Sequence, residues 1–372
     1  MLKRSSTDAL VVPRNLRRER KLWHDGSRHT PSLGCQGCPE LAICGGLSIG
    51  TPLYDCLKFC CGNPASCSRV CRNHPNFADR VREIGGFAFK AVTQMALGLA
   101  PALPPYIPII FHGDSREGTI APAAAALSLY SMFNKRDGRL RHADRDTLHS
   151  RYGIAHRTSI VLTGTDEDPP LERWWELGEP ARRRLIRGLR DLGIVLATTP
   201  NYSLFSDATR WDDMHSMKRI QIVHREFLDE GLATALHVNG RTDTDFKRWT
   251  DYIVKQTDIT HLAYEFTTGT GWPGRREQHA SWLIELVANV GRPLDLLVRG
   301  GIELLPRLAA AFSRVSFLDT SAFVKTMMRR RTVLKEDGCI VWRASPTAVG
   351  APLDLLFSEN IATVENLVSA LI

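Results

Sequence analysis

The stretch "LERWWELGEPARRRLIRGLRDLGIVLATT" (171–199) decides the fold. Its first part sets apolar residues at helical spacing among arginines and glutamates, and Gly193 stops it. The β-branched run "IVLATT" (194–199) follows at once and reads as a buried strand. The same alternation continues in both directions. Further strands are expected at "IPIIFH" (107–112), "SIVLTG" (159–164), "LATALHV" (232–238) and "THLAYEF" (260–266). "LDLLVR" (294–299), "RVSFLD" (314–319) and "GCIVWR" (338–343) complete the series. Helical stretches lie between them, "MHSMKRIQIVHREFLDEG" and "REQHASWLIELVANVG" among them. Eight βα repeats over about 265 residues match a (β/α)8 TIM-like barrel within the α/β class. A doubly wound open sheet is the competing architecture, since periodicity alone does not show closure. No G-x-G-x-x-G follows the first strand, which argues against a dinucleotide-binding version of that alternative.

The 372-residue chain divides into four zones. Residues 1–33 form a basic arm carrying "RNLRRERK", and residues 34–76 form a cysteine-rich, metal-binding region. Residues 77–105 combine a helix with the proline-bearing connector "APALPPYIP", and residues 106–372 hold the barrel. The segment 134–158 is polar and basic, and reads as an excursion between the first helix and the second strand. Net charge is +8, which makes DNA or RNA a candidate partner. No apolar run reaches the length of a membrane span, so no membrane partner is expected and the chain reads as cytoplasmic. Protein partners are not legible.

Eight of the nine cysteines fall between Cys35 and Cys71. Disulfide frameworks belong to small secreted domains, whereas clustered thiolates in a large reducing-compartment protein are metal ligands. The ligand candidates are Cys35, Cys38, Cys44, Cys56, Cys60, Cys61, Cys67 and Cys71. A C-x2-C pair turns two thiolates toward one metal, and Gly45 and Gly46 permit close backbone approach. Only one C-x2-C occurs, and the later spacings are irregular. That favours an iron–sulfur cluster, a 4Fe–4S cluster, with two structural zinc sites as the alternative.

Three resemblances attach to quoted residues. "CQGCPELAICGG" (35–46) resembles the opening of the cluster motif in SPASM-type iron–sulfur domains, and so implies a 4Fe–4S cluster. The likeness departs at Leu47, which leaves the fourth ligand to Cys56 or Cys60. The radical SAM triplet is missing: "CSRVCRNH" (67–74) sets His74 in its third place. The segment 155–300, with its "NYSLFSD" turn, resembles a domain-of-unknown-function family of bacterial, archaeal and phage proteins. That likeness implies a barrel-like segment and no particular activity. "FLDTSAF" (317–323) in a basic barrel faintly resembles tRNA-guanine transglycosylase-like barrels, a hint of base chemistry.

Chemistry in a βα barrel sits at the C-terminal strand ends. The catalytic candidates there are Asp114, His237, Glu265, Arg299 and Asp319, and the substrate-binding candidates are His112, Asn201, Tyr202 and Asn239. Imidazole, carboxylates and arginine together suit acid–base work on an anion. Each residue also has a structural reading: Asp319 or Asp114 as a helix cap, His237 as a core histidine, Arg299 neutralising Glu265. The glycines of "LVRGGIE" (297–303) suggest an anion-binding turn. The expectation is an iron–sulfur barrel enzyme acting on nucleic acid or a nucleotide, with base modification as its candidate reaction. The alternatives are a metal-stapled nucleic-acid-binding protein without catalysis and a small-molecule redox enzyme. The runs "ARRRLIRGLR" (181–190) and "MMRRRTVLK" (327–335) read as solvated helix faces or as a nucleic-acid groove.

Overall fold

A computed structural model describes residues 82–90, 101–134, 137–204, 210–267, 273–335, 338–348 and 350–372. The basic arm and all eight clustered cysteines lie outside the described residues.

Eight parallel strands form one sheet: β1 (Tyr106–Pro108), β2 (Ala124–Ser128), β3 (Ser159–Thr163), β4 (Ile194–Thr198), β5 (Thr234–His237), β6 (His261–Glu265), β7 (Asp295–Arg299) and β8 (Arg314–Asp319). Each strand from β2 to β8 pairs with its sequence neighbour, and β1 pairs with β8. The remaining edges, β1 and β2, meet at a parallel bridge between Ile109 and Ala126, where Ile110 N donates to Ala126 O at 2.9 Å. The sheet is therefore a (β/α)8-type barrel.

Helices α1 (Arg145–Tyr152), α2 (Asp168–Glu176), α3 (Glu179–Asp191), α4 (Arg210–Asp229), α5 (Asp243–Lys255), α6 (Pro273–Val290), α7 (Leu305–Ala309) and α8 (Ser321–Met327) stand in the connections. The stretch 171–193 holds two helices rather than one. Gly178, at φ +75°, and Pro180 at the start of α3 break it, because one needs a left-handed backbone and the other lacks an N–H.

The strand count agrees with expectation, but one member differs. "GCIVWR" belongs to a separate antiparallel hairpin of β9 (Arg330–Leu334) and β10 (Ile340–Ala344), followed by α9 (Asp354–Leu371). The missing barrel strand is β2, whose "AAALS" lies where helix was expected. Alanine favours helix in isolation. Here Ala124 and Ala126 are buried inside the barrel and Ala125 and Leu127 outside it, so tertiary packing overrides propensity. The polar excursion, in turn, contains α1, stopped by Gly153 at φ +56°.

Two apolar shells follow from the period of two. Ile107, Ile109, Ala124, Ala126, Val161, Leu196, Ala235, Ala263, Leu297 and Leu318 come from all eight strands and fill the interior. Intervening residues pack outward against the helices in the main core. The proline-bearing connector closes the N-terminal end: Leu103 packs on the interior cluster and Pro105 O accepts from Phe317 N at 2.7 Å.

Helix α4 is buried around most of its described circumference despite its polar sequence. It is held by ion pairs. Arg182 of α3 grips Glu226 with two bonds of 2.7 and 2.6 Å, and Arg225 reaches Asp258 at 2.8 Å. Residues 82–90 cover another side, with Lys218 Nζ donating to Ala88 O at 2.7 Å and Glu83 facing His215 at 3.4 Å. Four of the five arginines in the run 181–190 are thereby paired within the fold, Arg190 with Asp191 at 3.0 Å among them, and Arg184 is exposed. Arg183 meets Glu179, Asp229 and Glu230, and Arg187 meets Glu230 at 2.6 Å. Trp174 and Trp249 are core residues, and Trp175 lies beneath Arg182.

Candidate functional site at the barrel mouth

Counting two residues beyond each interior residue locates the inner rim. Ala126 leads to Ser128, Val161 to Thr163, Ala235 to His237, Ala263 to Glu265, Leu297 to Arg299 and Leu318 to Thr320. All six line a cavity of about 600 Å³ at the C-terminal end of the barrel. Asn201, Asn239, Arg241, Tyr264 and Thr267 join them from the loops and strand ends, with Phe111 on the β1 side.

Glu265 is buried at the end of β6. Its Oε1 accepts from Thr267 N at 2.9 Å and from the Thr267 hydroxyl, while Oε2 stands 3.6 Å from Arg299 Nη1. Burial pushes its carboxyl above the ordinary range, outweighing the opposing pull of Arg299 and Thr267. His237 is also buried. Its backbone N donates to Thr199 Oγ1 at 2.9 Å, and its Nδ1 has no hydrogen-bond partner. Burial holds this imidazole down to about 3, so it is neutral near pH 7. The cavity thus pairs a proton-prone carboxyl with a neutral imidazole.

Arg241 and Arg299 supply positive charge to the lining, and Arg275, which does not line the cavity, lies near Arg241, its pKa lowered to about 10 by burial and by that neighbour. Asn239 Nδ2 donates to Asn201 Oδ1 at 2.8 Å and to Tyr202 O at 3.2 Å, joining the loops after β4 and β5. Behind the rim, Tyr264 bonds the buried His279. Across the opening, the loop after β3 contributes Asp166, Glu167 and Asp168. Gly164 makes that loop possible, because a Cβ there would stand 2.5 Å from Thr199 O.

Five expected site residues reach the cavity: Asn201, His237, Asn239, Glu265 and Arg299. The other four do not line it. Asp319 falls on the odd register of β8 and faces outward, where it accepts from Ser321 N at 2.9 Å and Ala322 N at 3.1 Å, and from Tyr106 OH at 3.3 Å. It starts α8, and Thr320 takes the inward place. Asp114 sits on the exposed loop after β1, paired with Arg151 at 2.9 Å and His112 at 3.5 Å. His112 packs edge-on against Phe323. Tyr202 is fully buried beneath the guanidinium of Arg219, 4.0 Å from its ring centre. The glycine turn at 300–301 serves packing: a Cβ on Gly301 would stand 3.2 Å from Phe266 Cβ, and α7 beyond it spans only five residues.

The strand ends overlooked the acidic loop after "SIVLTG", although it occupies an equivalent place. Ser128 was hidden with its unrecognised strand. Arg241 and Thr267 lie one loop turn beyond the rim, out of reach of a count along strands.

No protein-family model matches the chain. No curated protein matches it in sequence either. The functional reading therefore rests on the mouth itself. Among the described residues, no group of three or more His, Cys, Asp or Glu side chains is arranged to hold a metal. No helix among them is long and apolar enough to cross a membrane.

Proposed function

We propose that the mouth is the active site of an enzyme acting by general acid–base chemistry on an anionic substrate, a nucleotide or nucleic acid, with base modification as its candidate reaction. The observation that carries this reading is Glu265, a buried carboxyl with raised proton affinity, set in one cavity with the neutral His237 and with Arg241 and Arg299. A carboxyl shifted toward neutrality is suited to both giving and taking a proton. Arginine forks match the oxygens of a phosphate. Asn201 and Asn239 offer amide edges of the kind that recognise a base.

Calorimetric titration with nucleoside monophosphates tests the reading. Binding at micromolar to millimolar concentration, lost in Arg241→Ala and Arg299→Ala and retained in Glu265→Gln, is the expected result. Binding indifferent to both arginines would remove the mouth from consideration.

The cofactor reading stands beside this as a separate proposal. We assign the eight clustered cysteines to an iron–sulfur cluster, with zinc as the alternative, in a chain working in the reducing cytoplasm. Their clustering supports it. Anaerobic purification with iron, zinc and sulfide analysis tests it, and colourless zinc protein without labile sulfide would refute it.

A further inference from the structure

The two basic runs of the sequence have opposite fates. In the run 181–190, carboxylates of the fold take up every arginine but the exposed Arg184. The run 327–335 instead leaves α8 and enters the β9–β10 hairpin. Asn360 of α9 fixes the inner face: Thr332 N and Oγ1 each donate to its Oδ1 at 2.7 Å, and its Nδ2 donates to Arg330 O at 2.9 Å. Ile340 and Trp342 pack on the main core from the same face.

Strand alternation then turns the odd-numbered residues outward. Arg331 and Arg343 are directly opposite one another in the antiparallel register, both exposed, beside the pair Val333 and Val341. Side chains so placed stand about 5 Å apart at Cβ, and like charges there destabilise a sheet. Among the described residues, Arg330, Arg331, Arg343 and Lys335 have no ion pair. The run 329–343 carries five cations, four of them arginines, against Glu336 and Asp337.

We propose that this hairpin is a second interaction surface, a basic β-ribbon that docks on a nucleic-acid duplex with Arg331 and Arg343 on phosphates. A five-residue ribbon is about 17 Å long. A duplex major groove, about 12 Å wide, admits two antiparallel strands. Planar guanidinium forks suit phosphate oxygens better than ammonium points do. A membrane surface fits less well, because Ile340 and Trp342 are turned onto the core and, among the described residues, only Leu334 and Met328 remain as large exposed apolar side chains at the ribbon. This surface goes beyond the mouth and does not depend on it.

The test is fluorescence anisotropy of the full chain with a labelled random-sequence duplex of about two helical turns, over a salt series. Wild-type protein should bind with a salt-dependent constant. Arg331→Ala/Arg343→Ala should weaken binding at least about tenfold and reduce the log–log salt slope by about two. Arg331→Lys/Arg343→Lys should keep the slope. The alanine pair should melt no lower than wild type, since it relieves a like-charge contact, and should bind nucleoside monophosphates unchanged. Absence of salt-dependent duplex binding in the wild type, or unchanged affinity and slope in the alanine pair, overturns the proposal. Binding to phosphatidylserine vesicles in place of the duplex also overturns it. Duplex binding without nucleotide binding would refute the mouth reading alone.

Discussion

Gly300 is pressed against Thr267, the residue whose amide and hydroxyl hold Glu265. At φ +74°, Gly300 adopts a left-handed backbone, and a Cβ there would collide with Thr267 Cγ2 and stand 3.0 Å from its amide nitrogen. Gly300→Ala should therefore cost about 1–2 kcal/mol in backbone strain alone, read as a lower melting temperature. It should also displace Thr267 and push the Glu265 carboxyl further up. Thr267→Val, which removes one of the two donors without the clash, should raise the Glu265 pKa with a smaller loss of stability. Carboxyl titration by NMR checks both. An unmoved Glu265 in the two variants would separate the turn from the site.

Glu265 should cost the fold stability at neutral pH. Its proton affinity is higher in the folded chain than at its ordinary 4.5, so the folded state binds the proton more tightly. The stability tied to that proton is complete below about pH 4.5 and declines as pH rises through the raised folded value. Glu265→Gln, which never ionises, should flatten this decline and leave the variant more stable than wild type near pH 7. Urea denaturation at several pH values measures it, and parallel curves for the two proteins would contradict the raised affinity.

The buried pair Arg182–Glu226 should behave asymmetrically. Its two short bonds satisfy charges that have almost no solvent. Removing only one partner, as in Arg182→Met, strands a carboxylate and should cost about 3–5 kcal/mol. Arg182→Met with Glu226→Leu removes both charges and should recover most of that loss. A double-mutant cycle on urea unfolding gives the coupling, and additive losses would deny it. Trp175 qualifies the expectation, because Arg182 also covers its ring at 4.4 Å and methionine replaces that contact only in part.

His224 on α4 is fully buried, and neither ring nitrogen has a hydrogen-bond partner. Burial and the neighbouring Arg225 hold it down to about 3, so the folded chain keeps it neutral while the unfolded chain protonates near 6.5. Stability carried by the neutral imidazole is therefore present above about pH 6.5 and lost as pH falls toward 3, at about 1.4 kcal/mol per pH unit. His224→Leu should remove this acid sensitivity and raise the melting temperature at pH 5. A variant as acid-labile as wild type would place the sensitivity elsewhere, with His237 the next candidate.

The barrel was legible because parallel strands buried on both faces read as short apolar or β-branched runs, and seven of the eight do so here. Strand β2 escaped because its alanines carry helix propensity and only the closed interior gives them another use. The site divided for a similar reason. Glu265, His237 and Arg299 sit two residues beyond interior positions, so the strand period alone sends them inward. Asp319 differs from them by one residue in register, and that single step turned a carboxylate into a helix cap. Arg241 and the carboxylates after β3 depend on loop paths, which residue spacing does not encode. The free charge of Arg331 and Arg343 was equally hidden, since a run of arginines looks the same whether or not the fold supplies carboxylates to it.

Proton uptake should accompany anion binding at the mouth. Arg299 Nη1 stands 3.6 Å from Glu265 Oε2, and Arg299 also lines the cavity. An incoming phosphate competes for that guanidinium. As Arg299 turns toward the phosphate, the attraction that lowers the Glu265 pKa weakens, and a second negative charge arrives nearby. Both changes raise the proton affinity of a carboxyl that burial has already shifted upward. Binding of a nucleoside monophosphate should therefore take up a fraction of a proton near neutral pH. Calorimetry in buffers of different ionisation enthalpy measures that fraction directly. In Glu265→Gln it should fall to the small value set by the phosphate itself. In Arg299→Lys, where the ammonium lacks the fork that spans both groups, the affinity should drop about tenfold or more while some uptake persists. Equal proton uptake in wild type and Glu265→Gln would show that the carboxyl does not sense the bound anion.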